Sequence, residues 1–98
     1  MNETIDDLTI AFTEDNIEKT RELDKHVLTK GAWTTIMYRY QDWDNAKQTF
    51  GPIKYSVRRY QKRNGQFWQK SKFNISNTEQ AQKIIDVLTK WVNQPITE

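Results

Sequence analysis

Between Lys54 and Lys72 the chain places seven basic residues (Lys54, Arg58, Arg59, Lys62, Arg63, Lys70 and Lys72) and no acid. Such a run repels itself unless an anion meets it. A solvated surface is the ordinary fate of a basic run. This one, however, is interleaved with rings, because ten of the twelve aromatic residues lie between Trp33 and Phe73. Cations that hold phosphates, beside rings that stack on unpaired bases, suit a single-stranded nucleic acid. Each stacked base contributes ~1–3 kcal/mol with little sequence preference. Duplex bases are already stacked, so the composition favours single strands over duplex.

Those side chains need strands to array them. Trp33–Trp43 alternates, with Ile36, Tyr38 and Tyr40 on one parity and Thr35, Met37, Arg39, Gln41 and Trp43 on the other. Its β-branched and aromatic content predicts a strand. Asp44–Pro52 reads as a loop. Lys54–Lys62 alternates again. Tyr55 and Val57 are expected on the core side, with Arg59 at its rim, and Lys54, Ser56, Arg58, Tyr60 and Lys62 on the other side. Asn64-Gly65 is a strong hairpin signal, since both turn residues need positive φ. Gln66–Ile75 is then the returning strand, with Phe67, Phe73 and Ile75 on one parity and Trp68, Lys70 and Lys72 on the other. Ser76 and Glu79 fit a capping box that opens a helix over about 77–93, stopped by Pro95. Its stripe of Ala81, Ile84, Ile85, Leu88, Trp91 and Val92 is expected to pack on the sheet. Val87, with Ile84 and Trp91, makes a second apolar edge suited to a dimer contact. The fold class is therefore α+β, an antiparallel sheet with a C-terminal helix.

With 98 residues the chain supports one domain and one core. Only 36% of its residues are apolar, so the aromatics must supply much of the core or of a binding face. There is no cysteine, which excludes disulfides, thiol nucleophiles and cysteine-ligated zinc. No apolar run approaches the ~20 residues of a membrane helix, and no signal peptide is expected. The expected location is intracellular, with nucleic acid. His26 is alone among charged residues, Asp42 and Asp44 fall short of the acid cluster a nuclease needs, and the three glycines are isolated. No enzyme, cofactor or metal site is expected. The sequon Asn74-Ile75-Ser76 reads as chance. Charge is divided unevenly: residues 1–26 carry −5 and residues 27–98 carry +7. Residues 1–30 are expected as an acidic, partly ordered arm, in which Leu8–Phe12 suits a short strand and Asn16–His26 a polar helix. Residues 31–98 are expected as the nucleic-acid-binding domain.

Tyr55-Ser-Val-Arg-Arg-Tyr60, Asn64-Gly65, Lys70-Ser-Lys-Phe-Asn-Ile75 and Glu79-Gln80 together resemble the positive cofactor four family of transcriptional coactivators. The resemblance covers about residues 33–92 and is most specific over 55–88. It implies a curved sheet of about four strands, dimerisation through the helices, and binding of single-stranded DNA by the sheets, with bound segments running in opposite directions. By position Arg58 resembles the family's strand arginine and Tyr60 its following tyrosine. Trp43 resembles the stacking aromatic that ends the preceding strand, and Lys70 and Lys72 fall near its fourth-strand lysines. The family's next tryptophan is Gln61 here, with Trp68 as the available replacement. The loop Asp44–Pro52 is longer than the family's turn, and an acidic segment stands where eukaryotic members carry a Ser-rich one.

The expected function is thus that of a homodimeric single-stranded DNA-binding protein in transcription, replication or recombination. Its expected site comprises Arg39, Arg58, Lys62, Arg63, Lys70 and Lys72 for phosphates, and Trp43, Tyr60 and Trp68 for bases. Transcription or replication proteins are further expected partners. Two alternatives use the same residues: a co-regulator docking an acidic protein partner, and RNA binding. The acidic segment also suits an autoinhibitory strap over the basic face, against the blander solubilising arm.

Overall fold

The computed structural model describes residues 4–95; residues 1–3 and 96–98 of the expected segments lie outside them. A 3₁₀ turn at Ile5–Asp7 leads to strands β1 (Phe12–Glu14), β2 (Ile17–Thr29), β3 (Trp33–Asp44), β4 (Thr49–Phe50), β5 (Lys54–Arg63) and β6 (Gln66–Ile75), then helix α1 (Thr78–Val92). The curved antiparallel sheet has the order β1-β2-β3-β5-β6, and the short β4 folds back on the end of β3. The α+β class and the C-terminal helix agree with the sequence reading.

Turn chemistry explains most of the boundaries. Asn64 and Gly65 both have positive φ (53° and 78°), giving the two-residue β5–β6 hairpin. Asp15 and Asn16 do the same between β1 and β2 (52° and 64°). The expected Asn16–His26 helix is therefore a strand. Register shifts at Leu23 and Leu28 break the alternation of β2, which hides its period in the sequence. β2 pairs with β3 along most of its length, as far as Thr29, so the N-terminal segment belongs to the same sheet.

That segment also builds the core. Leu8 and Ile10 lie buried against Ile36, Tyr38, Tyr40, Tyr60 and Phe67, with Ile5 and Val27 alongside. Lys25 pins the segment down by donating from Nζ to the carbonyls of Ile5 (3.1 Å) and Leu8 (2.6 Å). Glu22 Oε1 accepts from Thr9 Oγ1 at 2.7 Å. The chain N-terminal to β1 thus does the covering that was expected of the helix.

Consequently α1 is left without a bed. None of its residues is buried, and its main packing is against β6. The expected packing stripe is largely open to solvent, Trp91 being 65% exposed. The cap also lies one residue later than expected: Asn77 Oδ1 accepts from Gln80 N (2.7 Å), and Gln80 Oε1 accepts from Ser76 N (2.8 Å). The radius of gyration is 16.1 Å, against about 13 Å for a compact chain of this length.

Candidate nucleic-acid interface

Register decides which side chains share a face. Ile36 is opposite Arg58, Tyr38 opposite Ser56, and Thr34 opposite Tyr60. Directly opposed residues of antiparallel strands lie on the same side. Arg58 and Tyr60 therefore face the core side with Ile36 and Tyr38, not the side of Met37, Arg39, Gln41 and Trp43 as expected. A bulge then changes the parity of β6. Arg59 is opposite Ser71 and Tyr60 opposite Gln69, leaving Lys70 as the extra residue. Phe67 and Lys72 consequently fall on the core side, and Trp68, Ser71 and Phe73 on the open side.

The nine expected site residues are thus divided. Tyr60 is a core residue: it is 4% exposed and shares a 2.9 Å hydroxyl–hydroxyl hydrogen bond with buried Tyr38. Burial, reinforced by that hydrogen bond, pushes the Tyr38 phenol far above its ordinary pKa. Arg58 lies half-buried on the same side, 5.9 Å from the Tyr38 ring, and donates from Nη1 to Gln69 Oε1 (3.1 Å). Lys72 is directly opposite it. Lys62 stands over the Phe67 ring at 5.4 Å, also on the core side. Arg39, Trp43 and Trp68 occupy the open side. Arg63 ends β5 at the hairpin, and Lys70 sits in the edge bulge.

The open side has two zones. Near the β5–β6 hairpin, Trp33, Gln61 and Trp68 form one row across β3, β5 and β6. The outer two backbones are about 10 Å apart at ordinary strand spacing. Trp33 is 41% and Trp68 54% exposed. The Arg59 guanidinium lies 4.5 Å from the centre of the Trp33 ring, a cation–π contact that holds both side chains in place. Arg39 lies farther along β3, 3.9 Å from Asp24. Trp43 is half-buried against Phe50, edge to face at 5.2 Å, while Arg21 caps the Phe50 ring at 3.7 Å.

The second zone is apolar. Met37, Val57 and Phe73 form the row nearer the helix. Phe73 continues into a groove of about 420 Å³ with Ile84, Val87, Leu88 and Trp91. The Tyr55 hydroxyl meets Thr78 Oγ1 at 3.3 Å where the helix leaves the sheet.

Trp33, Arg59 and Gln61 were absent from the expected site. Trp33 was legible, since it shares the parity of Arg39 and Trp43. Arg59 and Gln61 were not, because their side depends on how β5 pairs with β3. Among the described residues there is no grouping of three or more His, Cys, Asp or Glu able to hold a metal ion. No helix among them is long and apolar enough to cross a membrane. No family model matches the chain, and no curated protein or solved structure matches it.

Proposed function

We propose that this chain binds single-stranded DNA across the hairpin end of its open sheet face, as a homodimer joined through α1. The observation that carries the reading is the row of two exposed tryptophans, Trp33 and Trp68, bordered by Arg59. Bases stack on the indoles, and Arg39, Arg59, Arg63 and Lys70 meet the phosphates. Arg58, Lys62 and Lys72 face the other way and are not part of this surface. Trp43, held by Phe50, lies on the same face at the other end of β3, about 33 Å along the strand from Trp33. The resemblance to the positive cofactor four coactivators implies the same ligand and a place in transcription, although its Arg58 and Tyr60 positions lie on the opposite face here. Replication and recombination present the same kind of strand, and in each case the protein would act inside the cell.

Dimerisation rests on the helix. A 15-residue amphipathic helix draws most of its stability from packing an apolar face, and this one has its stripe exposed. Pairing two such helices covers Leu88 and Trp91 and leaves the tryptophan rows, at the far end of β6, free. Sedimentation should show a dimer that Leu88→Asp converts to a monomer. A monomeric parent protein would remove this part of the reading.

DNA binding is tested by fluorescence anisotropy with a labelled strand of about 20 nucleotides, titrated at about 50 and about 200 mM salt. Four phosphate contacts give a slope of roughly −3 in log affinity against log salt. Trp33→Ala or Trp68→Ala should weaken binding by about 5- to 150-fold, the equivalent of one lost stack. Equal competition by duplex, or unchanged affinity in both variants, would show that the row is not a stacking surface. A preference for an acidic polypeptide at matched salt would favour the co-regulator alternative.

A further inference from the structure

Gln61 stands in the middle of the tryptophan row, directly opposite Trp33 on one side and Trp68 on the other. It is half-buried, yet among the described residues its carboxamide has no hydrogen-bond partner, and neither amide atom is sealed from solvent. Its strand neighbours differ: the Arg59 guanidinium is held over Trp33 and Tyr60 is bonded to Tyr38. An unengaged amide between two stacking platforms is placed to meet the edge of a base lying on either ring.

We infer that Gln61 determines selectivity for unpaired bases by hydrogen-bonding their Watson–Crick edges. This rests on the single-strand reading above and adds a mechanism to it. A carboxamide presents one acceptor, Oε1, beside donors on Nε2. The Watson–Crick edge of every base also sets a donor beside an acceptor: N6–H and N1 in adenine, N1–H and O6 in guanine, N4–H and N3 in cytosine, N3–H and O4 in thymine. A half-turn of the amide matches either order, so all four bases are accepted. In a duplex the same edge is occupied by the complementary base. One side chain therefore rejects paired bases without reading sequence, adding to the discrimination that stacking already provides.

The test uses a thymidine strand and the same strand built from N3-methylthymidine, which blocks the Watson–Crick edge and keeps the ring and the phosphates. The second protein is Gln61→Met, close in length and without the amide. Parent protein should bind the methylated strand about 5- to 150-fold more weakly than the unmodified one, as expected for two lost hydrogen bonds. Gln61→Met should bind the unmodified strand with a similar loss and the methylated strand no more weakly still. Duplex affinity should be equal for the two proteins. Losses that add, or an unchanged Gln61→Met, would overturn the role of Gln61 while leaving stacking on Trp33 and Trp68 standing. Failure of the parent protein to bind the unmodified strand would overturn both.

Discussion

Replacing Tyr60 by phenylalanine separates a core role from a stacking role in one side chain. Tyr38 is 1% and Tyr60 4% exposed, and their hydroxyls are 2.9 Å apart. In Tyr60→Phe the Tyr38 hydroxyl keeps its buried position and loses its partner. Leaving a buried hydroxyl unsatisfied costs about 1–3 kcal/mol. In a domain of this size each kcal/mol lowers the melting temperature by about 4–8 °C, so a drop of roughly 5–20 °C is expected. Removing both hydroxyls removes the unpaired group as well. Tyr38→Phe/Tyr60→Phe should therefore recover most of the loss, giving strong coupling in a double-mutant cycle. Urea unfolding followed by tryptophan fluorescence measures all four proteins, and anisotropy with a single strand should show Tyr60→Phe binding within about twofold of the parent. A stable Tyr60→Phe, or a double variant as costly as the two singles summed, would refute the buried pair. Weakened DNA binding without loss of stability would return Tyr60 to an exposed face.

Burial raises the Tyr38 phenol pKa, helped by the hydrogen bond to Tyr60, and burial followed by the Asp42 carboxylate raises that of Tyr40. The native state then keeps protons that the unfolded chain releases near pH 10. This contribution is constant below that pH and declines above it by up to about 1.4 kcal/mol per pH unit for each tyrosine. Urea midpoints between neutral and strongly alkaline pH should show the decline, and Tyr38→Phe should flatten it. Leu8→Ala tests the N-terminal segment: at 1% exposure it should cost about 2–5 kcal/mol, whereas a solvated arm would register almost nothing in the same urea titration.

Much of the secondary structure is legible locally. Alternation in Trp33–Trp43 and Lys54–Lys62 identifies β3 and β5. Asn64-Gly65 fixes the hairpin because only a pair tolerant of positive φ closes a two-residue turn. The Ser76–Pro95 stretch carries a helix start, an apolar stripe and a stop. The N-terminal third resists such reading: β2 has two bulges and few apolar residues, and its identity as a strand comes from pairing with β3. Asp15-Asn16 was its one local signal, a turn pair of the same chemistry as Asn64-Gly65.

The face of each residue is another matter. On β5, Tyr55 and Val57 on one parity are nearly matched by Tyr60 on the other, so hydrophobicity does not choose which side is buried. A slip of one residue reverses every side chain. The Lys70 bulge then reverses β6 once more, separating Lys72 from Trp68 although both have even numbers. The sequence by itself therefore determined β3, β5 and β6, the hairpin, the helix and the concentration of rings and cations in one stretch, all properties of neighbouring residues. Only the tertiary structure decided that Leu8 and Ile10 cover one face, that Tyr60 is core, and that Trp33, Gln61 and Trp68 share a row on the other. Those outcomes depend on cross-strand register and on which distant segment wins the apolar face, and neither is encoded within any one strand.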